Sequence, residues 1–283
     1  MIDGPRVMKM SGAGNDFLVL GPDAAGRIPG DFSQWVRQVC RRRLSVGADG
    51  VVLVEPAGAN RVRVRYYNAD GSSAFCGNGS RCAARFARLT GLTGDQLILE
   101  SDIGELHAEV RGSSVRLVLP PPRDAGAMAL ELENESVEGR VIDAGVPHFV
   151  MFVARVDEAP LERWGPPIRR HPRFAPAGTN VDLVALAADG TLELRTWERG
   201  VEGETLACGS GAVAAALAVR LRGGQERSRV LPASGIPLEV ELPGPAQTPE
   251  AAVLTGDARL VFEAHLAAEA SGPVPESVED RGR

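Results

Sequence analysis

Cys76-Gly77-Asn78-Gly79-Ser80 introduces an Ala-rich run from Arg81 to Leu89, and 132 residues later Cys208-Gly209-Ser210-Gly211-Ala212 introduces another from Val213 to Leu221. Two more correspondences keep nearly the same offset. Gly47-Ala48-Asp49-Gly50 leads into the apolar run Val51–Val54, and Gly178-Thr179-Asn180-Val181 leads into Asp182–Leu186, 131 residues on. Asn15-Asp16-Phe17-Leu18-Val19-Leu20 aligns with Pro147-His148-Phe149-Val150-Met151-Phe152, again at 132. Each match alone is weak; three in one order at one spacing read as an internal duplication. The expected architecture is α/β (α+β), with two pseudo-symmetric lobes.

Local patterning agrees. Val62, Val64 and Tyr66 alternate with Arg63, Arg65 and Tyr67, and Leu192, Leu194 and Thr196 alternate in the same way, each a half-buried strand. Both strands run toward turns rich in Gly and polar residues, 68–80 and 199–211, and a helix follows each. The helix over 80–90 is expected to turn Cys82, Ala83, Phe86 and Leu89 inward. The helix over 212–222 is small or apolar on nearly every side and belongs inside a lobe, wrapped by strands. A further amphipathic helix fits Phe32–Leu44, with Trp35, Val36, Val39 and Cys40 inward. Pro120-Pro121-Pro122 reads as the linker. It divides the chain into a lobe over 1–120, a second over 121–255, a segment 256–270 returning to the first lobe, and a disordered Gly, Pro and charge-rich tail over 271–283.

Composition removes several function classes. The 283 residues carry 31 basic against 37 acidic side chains, net charge −6, without a basic tract, which disfavours nucleic acid as a partner. The apolar run Ala212–Val219 is far too short to span a membrane. No basic-then-apolar leader is evident, so a cytoplasmic location is expected. Lys9 is the only lysine, and nothing around it resembles the Schiff-base site that pyridoxal phosphate needs. The four cysteines (Cys40, Cys76, Cys82 and Cys208) include no CxxC, and the four histidines are scattered, so no metal site is expected. Cys40 and Cys82 read as buried apolar residues. Arg41-Arg42-Arg43 reads as a solvated helix end, and His107, His171 and His265 carry no functional signal.

A Cys-Gly-x-Gly turn that opens a helix combines two devices. First-turn N–H groups, which no helical carbonyl can satisfy, form a cradle for a carboxylate or phosphate. A thiol in the same field has its thiolate favoured. Two such turns suit a racemase or epimerase, which removes a proton from one face of a carbon and returns one to the other. No cofactor is then required.

The motifs Ser11-Gly12-Ala13-Gly14-Asn15-Asp16-Phe17, Asn68-Ala69-Asp70-Gly71-Ser72, Cys76-Gly77-Asn78-Gly79, Asn180-Val181, Glu198-Arg199-Gly200 and Ala207-Cys208-Gly209-Ser210-Gly211 together closely resemble the diaminopimelate epimerase family. The resemblance runs from about residue 6 to about residue 265. It implies cofactor-independent interconversion of LL- and meso-2,6-diaminopimelate in lysine and peptidoglycan-precursor biosynthesis. It implies a fold whose lobes each wrap a strongly curved sheet or barrel around a central helix, commonly in a homodimer. Cys76 and Cys208 resemble the family's acid/base thiols. Gly77, Asn78, Gly209 and Ser210 resemble its carboxylate cradle, and Asn15, Asn68, Asn180, Glu198 and Arg199 its other substrate contacts. His148 and Glu198 resemble residues that tune the thiols. Two positions depart from the pattern: Val146 stands where many members have Asn, and Gly50 where many have Gln.

The nearest alternative is a proline or hydroxyproline racemase, similar in fold and paired thiols. Phenazine-type isomerases are more distant and typically lack both cysteines. A non-catalytic anion, phosphate or nucleotide binder would leave the repeated cysteine unexplained, and no GxxxxGK[ST] or strand–GxGxxG signature is present.

Overall fold

A computed structural model of the chain describes residues 4–28, 30–133 and 135–272. It divides into two compact units, one of residues up to Val115 together with those from Ala258 onward, the other Arg116–Asp257. The first unit contains β1 (Arg6–Gly12), β2 (Asn15–Leu20), α1 (Pro22–Ala25), α2 (Phe32–Val39), β3 (Gly50–Gly58) and β4 (Arg61–Asn68). It continues with β5 (Ser73–Ala74), α3 (Gly77–Leu89), β6 (Gln96–Ser101) and β7 (Gly104–Arg111). After β8 (Ser114–Leu119), the second unit contains β9 (Arg123–Glu131), β10 (Ser136–Asp143), β11 (Pro147–Phe152), α4 (Leu161–Arg169), β12 (Asn180–Leu186) and β13 (Leu192–Glu198). It ends with β14 (Gly203–Thr205), α5 (Gly209–Arg220), β15 (Arg227–Pro232), β16 (Leu238–Glu241) and β17 (Ala252–Asp257). A last strand, β18 (Arg259–His265), pairs antiparallel with β1 in the first unit. Beyond Gly272 the tail over 271–283 lies outside the described residues.

Strand pairing makes the duplication explicit. In the first unit β1–β2 is antiparallel, β2–β3 parallel, β3–β4 and β4–β5 antiparallel, β4–β6 parallel and β6–β7 antiparallel. The series β10–β11, β11–β12, β12–β13, β13–β14, β13–β15 and β15–β16 repeats those senses in the same order. Parallel neighbours need a crossover. α3 and α5 supply one in each unit, between β5 and β6 and between β14 and β15.

Both crossover helices are central. α3 packs on β1, β2, β3, β4, β6 and β7, and α5 on β10 to β13 and β15 to β17, so the strands of each unit curve around its helix. This explains the composition of α5: with strands on every side, Ala212 to Ala218 are all buried, and only small or apolar side chains fit. In α3, Cys82, Ala83 and Phe86 face inward, but Leu89 is 46% exposed. The last turn of α3 extends beyond the strands, and its neighbours Arg88 and Thr90 are exposed as well.

The helix expected over 32–44 ends at Val39. The following loop folds back so that Gly47 N–H caps the Val39 carbonyl and Ala48 N–H that of Cys40. Arg42 therefore lies beyond the helix end, exposed but ion-paired. Its guanidinium bonds Asp16 at 2.5 Å and Asp49 at 2.8 Å. Lys9, 8% exposed, completes the cluster with Asp16 at 2.5 Å and with the Gly47 carbonyl. Burial pushes the Asp16 carboxyl up, but hydrogen bonds from Arg42 and Lys9 outweigh it and hold the group below its ordinary range. A depressed folded value contributes stability that is present above the unfolded carboxylate pKa of about 3.9 and lost as pH falls through the folded one. Asp16→Asn is expected to lower the melting temperature at neutral pH and to flatten its decline in the acid range; melts across pH check this.

Candidate functional site

Cys76 and Cys208 occupy the same structural position, the N-cap of a central helix. Cys76 has φ −138° and ψ 112°, and Cys208 has φ −115° and ψ 114°. In this extended conformation each Sγ turns back to accept a first-turn amide, Gly79 N–H at 3.3 Å and Gly211 N–H at 3.4 Å. Sulfur thus takes the role that Ser or Asp oxygen usually has at this position. Gly77, Asn78, Gly209 and Ser210 supply the helices' first amides, where an anion meets the positive end of the dipole.

In the first unit Asn78 is buried and sits in a polar chain. Arg81, fully buried, donates to Asn78 Oδ1 at 2.9 Å, Asn78 Nδ2 donates to Asn15 Oδ1 at 2.6 Å, and Asn15 Nδ2 donates to Asp49 Oδ2 at 3.0 Å. Asn15 and Asn78 are therefore brought together, with the Asn78 side chain fixed beneath its backbone. Asn68 lies in the Asp70–Ser72 turn: its Nδ2 donates to Ser72 Oγ at 3.0 Å, and Asp70 accepts from both Ser72 N–H and Oγ–H.

In the second unit Cys208 is 5% exposed, and its Sγ lies 3.4 Å from Ser210 Oγ. Burial pushes the thiol well above its ordinary value, and the carboxylates of Glu198 and Asp182 push the same way. The Ser210 hydroxyl and Gly211 N–H favour thiolate but are outweighed, so the helix field does not by itself ionise Cys208. Glu198 Oε2 accepts from Thr205 Oγ1 at 2.8 Å, and Arg199 N–H donates to Asn180 Oδ1 at 2.7 Å. His148 is fully buried between Asn180 Nδ2, 3.2 Å from its Nε2, and Asp182 Oδ2, 2.6 Å from its Nδ1.

Sequence reasoning missed Asp182, Thr196, Asp49 and Arg81 as members of these networks. Asp182 left a readable trace, a lone carboxylate opening the otherwise apolar run Asp182–Leu186. Cys40, by contrast, is held by packing, and burial pushes its thiol up to about 12. Native protein treated with iodoacetamide at pH 8 is expected to stay unmodified at Cys40, as peptide mass spectrometry would report; rapid labelling there would contradict the packing. Among the described residues no cluster of His, Cys, Asp and Glu is arranged to hold a metal ion, and no helix is long and apolar enough to cross a membrane.

The sequence profile of the diaminopimelate epimerase family matches residues 7–118 and 140–261. The diaminopimelate epimerase of Aquifex aeolicus is 38% identical over 275 residues, covering 92% of this chain and 97% of its own. That of Thioalkalivibrio sulfidiphilus is 40% identical over 274 residues, covering 90% and 96%. Among solved structures, a hydroxyproline epimerase from Agrobacterium vitis superposes with a TM-score of 0.70 at 18% identity, over 95% of this chain and 92% of the other. That last likeness is one of fold.

Proposed function

The chain belongs to the diaminopimelate epimerase family, and we propose that it interconverts LL- and meso-2,6-diaminopimelate through the thiols of Cys76 and Cys208, without a cofactor. The observation that carries this reading is the duplicated device: in each unit, a cysteine N-caps the central helix and opens a Gly-x-Gly turn.

In the proposed step one sulfur, as thiolate, takes the α-proton. The C–H electron pair moves toward the adjacent carboxylate, and the first-turn amides of Gly77, Asn78, Gly209 and Ser210 stabilise the charge that develops there. The other sulfur, as thiol, returns a proton to the opposite face and is left as thiolate for the reverse reaction. Burial and two carboxylates keep Cys208 protonated, so it acts as the acid for the substrate that Cys76 deprotonates. Asn15, Asn68, Asn180, Glu198 and Arg199 fix the rest of the diamino diacid, the guanidinium of Arg199 being suited to its distal carboxylate. His148 and Glu198 tune the thiols. Lys9 is spent on Asp16 and the Gly47 carbonyl, which supports a reaction that needs no lysine. The enzyme is proposed to work in the cytoplasm as a homodimer, for which the exposed Leu260, Val261 and Phe262 of β18 offer apolar surface.

Incubation in D₂O with LL- and meso-diaminopimelate, beside L-proline and trans-4-hydroxy-L-proline, tests the reading by NMR of the α-hydrogen. Exchange with inversion only in the diaminopimelates is expected. Exchange only in the cyclic imino acids would replace the proposal with a proline-type racemase.

A further inference from the structure

The two units repeat a backbone but not what underlies the cysteine turns. In the first unit Phe17 lies opposite Gly50 on β3, and Val52 lies opposite Tyr66 on β4. In the second, His148 lies opposite Asn180 on β12, and Asp182 lies opposite Thr196 on β13. By register, Phe17, Val52 and Tyr66 correspond to His148, Asp182 and Thr196, one residue off the alignment expected from sequence, which set Phe17 against Phe149 and Gly50 against Val181. Both trios are buried. A Cβ on Gly79 would lie 3.4 Å from Val52 Cγ2, and one on Gly211 would lie 2.7 Å from Asp182 Oδ1. The trio beside Cys76 is apolar except for Tyr66 Oη, which donates to the Asp49 carbonyl at 3.3 Å; the trio beside Cys208 is polar throughout.

Donor and acceptor rules fix the polar trio in one state. Arg199 N–H can only donate, so the Asn180 atom it meets at 2.7 Å is the carbonyl oxygen. Asn180 therefore points its NH₂ at His148, whose Nε2 must carry a lone pair. Nδ1 then carries the hydrogen and donates to Asp182 Oδ2 at 2.6 Å, while Thr196 Oγ1 donates to Asp182 Oδ1 at 2.7 Å. Every donor has an acceptor only if His148 is neutral and Asp182 ionised.

We propose that Asp182 is a positioning residue for the reaction at Cys208: it holds His148 as the neutral Nδ1–H tautomer and so locks the Asn180 amide, which in turn holds the Arg199 backbone. The role in the reaction rests on the epimerase reading; the tautomer does not.

Long-range ¹H–¹⁵N correlation spectra at neutral pH test this directly, because the chain has only four histidines. His148 is expected as Nδ1–H in the unmodified protein; an imidazolium or an Nε2–H tautomer would overturn the proposal. Asp182→Leu removes both acceptors, leaving Nδ1–H and the Thr196 hydroxyl without the carboxylate that each meets. The expected result is a His148 no longer fixed as Nδ1–H and a fall in epimerisation of about 10- to 100-fold, with the fold retained by circular dichroism. In Asp182→Asn the amide oxygen accepts Nδ1–H while its NH₂ turns to Thr196 Oγ1, a hydroxyl that accepts as well as donates. That conservative variant is expected to keep Nδ1–H and to recover most of the activity. Retention of Nδ1–H and full activity in Asp182→Leu would sink the idea, and if that variant does not fold, the unmodified spectrum decides. Should the protein fail to act on diaminopimelate at all, the spectra still report on the buried trio, so the two failures are separable.

Discussion

Cys208→Ala and Cys76→Ala are each expected to reduce stereoinversion of diaminopimelate by about 10²- to 10⁴-fold, the usual contribution of a positioned acid or base. The loss should not come from unfolding. Each thiol accepts a first-turn amide of its own helix, and Cys208 Sγ also meets Ser210 Oγ at 3.4 Å; removing such an N-cap typically costs about 0.5–2 kcal/mol. The proposed division of labour gives a finer signature. A variant keeping one sulfur retains a base on one face only, so it can remove a proton and return solvent deuterium to that same face. Residual exchange with retention is therefore expected in one epimer, the other epimer being the substrate of the complementary variant. A mass-shift assay on separated stereoisomers measures this, and full inversion activity in either single variant would refute the two-thiol scheme.

The second large effect is expected at Gly50, one of the two positions where the chain departs from its family's pattern. A Cβ there would lie 2.4 Å from the Tyr66 ring and 2.4 Å from the Tyr67 carbonyl oxygen. The ring could be displaced, but the carbonyl belongs to β4, paired with β3 along its length. Gly50→Ala, and more so Gly50→Gln, is expected to destabilise by the roughly 1–3 kcal/mol typical of overpacking, or more. For a chain of this size that corresponds to a melting temperature lower by several degrees. Because Asp49 accepts from Asn15 and from Asp16 N–H next door, substrate affinity should fall together with stability. Glutamine tolerated at position 50 without a change in the melt would show that Tyr66 and Gly50 are not matched.

The duplication and its central helices were legible because they depend on spacing and on residue size, both of which a sequence displays. Cys76 and Cys208 were legible for the same reason: a repeated Cys-Gly-x-Gly is a pattern along the chain. What stayed hidden depends on register. That Asp182 stands opposite Thr196 and beside His148 follows only once β11, β12 and β13 are aligned. The span of α2 was overestimated because the apolar periodicity continues to Leu44, while the turn that stops the helix is fixed by backbone bonds from Gly47 and Ala48. Leu89 fits the inward spacing of α3 yet is exposed, since periodicity gives the face of a helix but not where the strands covering it end.

The uniform face of α5 also bears on how the chain is made. Without an amphipathic stripe, residues 209–220 have no one-sided partner on which to dock early, and the strands that enclose them come from both directions along the chain. β10 to β13 leave the ribosome before α5, but β15, β16 and β17 follow it, ending at Asp257. The second unit therefore cannot close around its axis until the chain has been translated through Asp257, and until then an apolar rod stands exposed on the nascent polypeptide, in need of chaperone cover.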